Sequence, residues 1–273
     1  MTIETVPRQS ASAALDQRRP HGTTPLVLLH GAGASSRQWA DVITGLPDWI
    51  MPVAVDLPGH GDSPGYAPGS LAEAARAVIH SVSSRGIPAP YAIAGHSFGG
   101  LVALRLALDA PADVSHLALV ASAARATLHP RLLAMMCGTE KVDTGFIRAG
   151  FTDPGPADPR TAAACEIVVG DLRRTRLRSG CEYFEVGEID LTAELHRIAI
   201  PSLVLIAAGD PVIAPRKSHA TAAALPNAHS VVLTAGHHLP LECPEVVANE
   251  LGAFLAAPAA SGPDLSSSWS EVQ

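Results

Sequence analysis

Charge is scarce in this chain. Only 16% of its 273 residues are Asp, Glu, Lys or Arg, and 19 basic residues face 26 acidic ones, for a formal net charge of −7. No segment carries the dense basic face that neutralises a phosphate backbone, so nucleic acid is not an expected partner. Long apolar runs are missing as well. Nothing approaches the roughly 18 uncharged apolar residues of a membrane span, and the start, MTIETVPRQSASAALDQRRP, has no apolar core behind a charged leader. The expectation is a soluble, cytoplasmic protein with no membrane partner. Cysteine is sparse too. Cys137, Cys165, Cys181 and Cys243 show neither CxxC spacing nor histidines at ligand spacing. That argues against a metal site or a dense disulfide framework, and free buried thiols are the expected state.

What the chain does have is apolar material, 47% of its residues, enough for a sizeable core. Six short β-branched runs stand out: PLVLLHG from 25, PVAVDL from 52, YAIAGH from 91, LALVAS from 117, LVLIAA from 203 and SVVLTA from 230. Each closes on a Gly, Asp or other turn residue, and Ala- and Leu-rich helical patterns separate them. Strands apolar along their whole length suit a parallel sheet covered on both faces. The alternation with helices predicts an α/β class, a mostly parallel doubly wound sheet.

The spacing is regular except once, where about 80 residues separate the fourth run from the fifth, far more than one crossover helix needs. Residues 123–197 therefore read as an inserted helical lid, interrupted by FTDPGPADPR, with a core formed by 1–122 and 198–258. The tail 259–273 is polar and Pro-rich, and is expected to be disordered.

The segment GHSFGG, 95–100, lies between an apolar run and a helical pattern. A strand entering a tight turn and a helix leaving it would put Ser97 on a strained elbow; the bland alternative is a Gly-rich turn with an N-capping serine. A serine hydroxyl attacks only when a base takes its proton, and the base needs a third group to hold its tautomer. Asp210 follows one predicted strand and His237 the next, so Ser97, Asp210 and His237 would meet at the carboxyl edge of a parallel sheet. His238 is the rival base and Asp190 a reserve acid inside the insertion. Asp210 before Pro211 could also be a simple turn initiator. The other histidines are expected at surface or core positions. Oxyanion donors are expected from the backbone amides of Phe98, at a helix start, and Ala32, in the HGAG loop at 30–33.

These motifs resemble the α/β-hydrolase superfamily, in the serine-nucleophile branch with a cap after the sixth strand. Four match in order: HGAG (30–33) with Trp39 following, DLPGHGDS (56–63), GHSFGG (95–100) and AGHHLPLECPE (235–245). The resemblance covers about 26–255 without the lid. It implies that the histidine directly after the glycine, His237, is the base, with Glu242 as the glutamate five positions on. Epoxide hydrolases and haloalkane dehalogenases are disfavoured because Ser97 stands where they carry an aspartate.

The activity expected is hydrolysis of a carboxylic ester, lactone or thioester through an acyl-enzyme on Ser97, with no cofactor and no metal. Related members also act as cofactor-free lyases, C–C hydrolases, perhydrolases or acyltransferases, and some are receptor-like binders. Phe146, Phe151, Tyr183 and Phe184 are read as apolar lining or packing of the lid, favouring an apolar small-molecule acyl substrate. Arg173, Arg174, Arg176 and Arg178 cluster in the lid. A solvated helix face is their default, and recognition of a substrate anion the alternative.

Overall fold

The computed structural model describes residues 23–63, 68–152, 159–175 and 189–257. The first half runs β1 (Thr24–Leu29), a 3-10 turn (Ser36–Trp39), α1 (Ala40–Gly45), β2 (Ile50–Val55), α2 (Leu71–Ser84), β3 (Tyr91–His96), α3 (Phe98–Asp109) and β4 (Val114–Val120). An insertion follows, with β5 (Arg125–Ala126), α4 (Pro130–Met136), α5 (Thr144–Arg148), α6 (Pro159–Arg174) and β6 (Ile189–Asp190). After a second 3-10 turn (Thr192–Arg197) the chain resumes with β7 (Ser202–Ala207), α7 (Pro215–Ala224), β8 (Ala228–Leu233), α8 (Leu239–Glu242) and α9 (Pro244–Ala256).

Six strands form one sheet in the order β2-β1-β3-β4-β7-β8, and every neighbouring pair is parallel. Every residue of β3 and β7 is buried, as strands covered on both faces require. On one face Val27, Leu29, Ile93 and Leu117 pack under α2 and α3. On the other, Leu26, Leu28, Ala92 and Ala118 meet Trp39, α1 and α9. The edge strand β8 is only partly covered. The strand order reverses between β1 and β3, since β2 lies on one side of β1 and β3 on the other. In an open parallel sheet the crevice for a ligand forms at the carboxyl ends flanking that reversal.

Three strands start earlier than their apolar runs indicate: β2 at Ile50, β4 at Val114 and β8 at Ala228. The reason is that ladder pairing belongs to the backbone, so polar residues such as His116 and His229 pair with Ala92 and Leu203 before the apolar runs begin. The expectation of free thiols fails at Cys137, which is disulfide-bonded, while Cys165 and Cys243 are free. Spacing along a chain does not report which Cα atoms the fold brings within bridging distance. No helix among the described residues is long and apolar enough to cross a membrane. Cys181, Tyr183, Phe184, Arg176, Arg178 and the tail from 258 onward lie outside the described residues.

Candidate active site

The central turn is Ser97, between the last residue of β3 and the first of α3. Its φ of 51° and ψ of −118° lie where L-residues are rare, a strain on the order of 1–3 kcal/mol that the surroundings must hold in place. They do so from both sides. Ser97 N–H donates to Val120 O at 3.0 Å, and Ser122 Oγ–H donates to Ser97 O at 2.7 Å. Helix α3 then passes so close to the end of β1 that a Cβ on Gly99 would lie 2.5 Å from both Leu29 O and His30 O. Only glycine permits that approach, which carries the loop after β1 to the side of Ser97.

His237 reaches Ser97 from the loop after β8. Its Nε2 lies 2.9 Å from Ser97 Oγ, and its Nδ1 lies 2.8 Å from Asp210 Oδ2. Asp210 follows β7 and is 6% exposed. Its other oxygen accepts from Val212 N–H at 2.7 Å and Ile213 N–H at 2.8 Å. With a carboxylate accepting at Nδ1, the imidazole keeps that proton and presents a lone pair at Nε2 to the serine hydroxyl. The reserve acid Asp190 is elsewhere, exposed and 3.6 Å from Arg125. The rival His238 stacks on Phe151, ring centroids 4.4 Å apart.

Gly31 carries the second wall. Its N–H donates to Gln38 Oε1 at 3.3 Å, and its carbonyl accepts from His30 Nδ1–H at 2.7 Å and from Ala34 N–H at 3.2 Å. A trans peptide is planar, so two bonds on the Gly31 carbonyl direct the Ala32 N–H, in the same plane, the opposite way. Ala32, Ser97, Phe98 and His237 border one cavity of about 470 Å³.

A family model described as the alpha/beta hydrolase family matches residues 26–250. The chain belongs to this family. A pimeloyl-[acyl-carrier protein] methyl ester esterase of Neisseria meningitidis serogroup A is 30% identical over 236 residues, covering 81% of this chain and 73% of that one. An esterase from a Rhodococcus species is 25% identical with a TM-score of 0.73, covering 86% and 91% of the two chains. A hydrolase from Pseudomonas aeruginosa, 24% identical over 87% and 92% with a TM-score of 0.74, shares the fold.

The hydrolase surrounds its site with residues to which the sequence alone assigns no part. His96 Nε2–H donates to the His237 carbonyl at 2.7 Å, from the position just before Ser97. His237 N–H donates to Gly150 O at 2.8 Å, and Glu242 accepts from Gly236 N–H, His238 N–H, Thr152 N–H and Thr152 Oγ–H at 2.8–2.9 Å. Gly150 and Thr152 lie between β4 and β7, so the loop that carries His237 is tied to that segment. The motif partners of His96 were legible; its role was not, because the acceptor is 141 residues away.

Burial lowers the pKa of four histidines around this site and keeps them neutral. His30 falls to about 4 and His60 and His238 to about 3, the nearby His30 ring adding to the burial effect at His60 and that of His237 at His238. His96 lies well below the ordinary value for the same first reason. In the unfolded chain each binds a proton near 6.5, so below that pH the unfolded state holds more protons and stability falls as pH falls. The loss is on the order of 1 kcal/mol per pH unit per histidine until the folded pKa is reached. The melting temperature is therefore expected to decline steeply from pH 6.5 to about 4, less steeply in His60→Gln. A calorimetric series that stays flat to pH 4.5 would contradict this assignment of neutral histidines.

Proposed function

We propose that this hydrolase is a serine esterase that turns over a carboxylic ester, lactone or thioester through an acyl-enzyme on Ser97. The observation that carries the reading is the hydrogen-bonded line from Ser97 Oγ through His237 to Asp210, opening on a single cavity. Ser97 Oγ attacks the carbonyl carbon as His237 Nε2 takes its proton. The oxyanion is held by the amides of Ala32 and Phe98, the latter at the positive end of the α3 dipole. Collapse breaks the bond to the leaving oxygen or sulfur, which receives the proton from His237. Water, deprotonated by the same ring, then attacks the acyl-enzyme and releases the acid. Asp210 holds the tautomer throughout. Nucleophile, base and oxyanion donors all come from the chain, so the route needs no metal or organic cofactor.

The name of the Neisseria relative, a methyl ester esterase, supports an ester as the substrate. The cavity wall points to an uncharged apolar acyl group. Leu101, Leu128, Leu132, Phe146, Val168 and Ile213 line it, and among the described residues no Asp, Glu, Lys or Arg does. A charged group placed there would lose its hydration without a partner. Leu128, Leu132, Phe146 and Val168 come from the insertion, which serves in this reading as the lid. Phe151 instead packs behind the wall against His238.

The test is a series of p-nitrophenyl esters of increasing chain length, with lactones and acyl thioesters beside them. Medium-chain neutral esters are expected to give the highest kcat/KM, and absence of turnover on every member would reject the esterase reading. Arg173 is exposed and borders a separate cleft with Cys137 and Leu172. Arg173→Gln is accordingly expected to change KM for a neutral ester by less than about threefold, roughly 0.65 kcal/mol. A larger loss confined to anionic esters would make the arginine a recognition element.

A further inference from the structure

The carboxylate of Asp171 is buried within the insertion, far from the triad residues in sequence and with no part in the steps above. Its side chain is 1% exposed, and it sits in the last turn of α6. Oδ2 accepts from Ser35 Oγ–H at 2.7 Å. Oδ1 pairs with Arg174 at 2.5 Å and lies 3.7 Å from Arg37. A buried carboxylate costs stability unless every lone pair is answered, so this one holds its partners in one arrangement. Ser35 closes the loop that begins at Gly31.

Two neighbours in the same turn grip that loop. Thr175 Oγ–H is shared between Asp171 O at 3.0 Å and Gly33 O at 3.2 Å. Gly33 has φ +75°, and a Cβ there would meet Leu172 Cδ2 at 2.4 Å. The loop is thus fixed at Gly31 by core residues and at Gly33 and Ser35 by α6, with Ala32 between the two anchors.

We propose that Asp171 is a positioning residue for the oxyanion loop: by holding Ser35 it sets the Ala32 amide against Ser97, and so makes oxyanion stabilisation depend on the seating of the insertion. This rests on the esterase reading, and specifically on Ala32 as an oxyanion donor. An amide displaced by a fraction of an ångström still lets a neutral ester bind, but holds the tetrahedral oxygen less well. The cost therefore falls on kcat rather than KM.

The experiment compares wild type with Asp171→Ala, Asp171→Asn and Ser35→Ala on one p-nitrophenyl ester and its thionoester, together with inhibition by benzeneboronic acid, whose adduct on Ser97 places an oxygen in the oxyanion position. Asp171→Ala is expected to lower kcat about 10- to 100-fold with KM within about twofold. Its boronate affinity should fall in proportion, and its ester-to-thionoester rate ratio should drop, since sulfur depends less on the amides. Ser35→Ala removes one hydroxyl without unpairing Asp171 from Arg174 and is expected to shift the same quantities in the same direction, by about fivefold. Asp171→Asn keeps an acceptor for Ser35 and should recover most of the loss. If both Asp171→Ala and Ser35→Ala keep boronate affinity and rate ratio within about twofold of wild type, while Ser97→Ala is inactive, the positioning role is overturned and the esterase reading stands. If wild type neither hydrolyses the ester nor binds the boronate, both fall together.

Discussion

Ser97→Ala is expected to retain the fold and lose hydrolysis, with kcat reduced by on the order of 10⁴ or more and fluorophosphonate labelling abolished. Wild type should label once, at this serine. The backbone at Ser97 is held by Val120, Ser122 and the packing of Gly99 against β1, and none of these contacts uses the hydroxyl. Alanine at φ 51° meets the same steric strain as serine, so the melting temperature should move little. The hydroxyl is the atom that His237 Nε2 addresses at 2.9 Å, and without it the acyl-enzyme has no place to form. Labelling mapped by mass spectrometry to another residue, or turnover undiminished in the variant, would remove Ser97 as the nucleophile.

The second large effect separates adjacent histidines. His237→Ala is expected to remove turnover and labelling alike, again by orders of magnitude, because Ser97 loses the group that takes its proton. His238→Ala should keep at least about a tenth of kcat, a barrier change of no more than roughly 1.4 kcal/mol. The His238 ring is committed to Phe151 and lies in the cavity wall, and burial holds it neutral with a pKa of about 3. Its backbone N–H, bound to Glu242, survives the substitution. Rates are best expressed per folded protein, measured by circular dichroism and calorimetry, so that any loss of folded protein is divided out. A dead His238→Ala beside an active His237→Ala would exchange the two assignments.

How much of this was legible in the residues themselves differs from element to element. The apolar runs announced the parallel strands because a strand covered on both faces must be apolar throughout, and every residue of β3 and β7 is buried. Their starts were less legible, as Val114 and Ala228 show, because backbone pairing continues through polar residues that break the apolar pattern. Ser97, Asp210 and His237 could be named because each sits just beyond a strand, and one edge of a parallel sheet gathers all its carboxyl ends. Cys137 shows the opposite case. Its bond depends on a meeting of distant segments that no spacing reports.

By itself, then, the sequence determined the class of sheet, the order of the motifs along it and the identity of the residues that converge, since these follow from local pattern and from the shared polarity of parallel strands. Tertiary structure alone decided what holds those residues in position. His96 against the His237 carbonyl, Gly150 and Glu242 beneath the histidine loop, and Asp171 on Ser35 pair groups of which three are separated by 87 to 141 residues. Such contacts leave no periodicity in the chain. They arise only when the chain has folded and each buried polar group must find a partner within hydrogen-bonding distance.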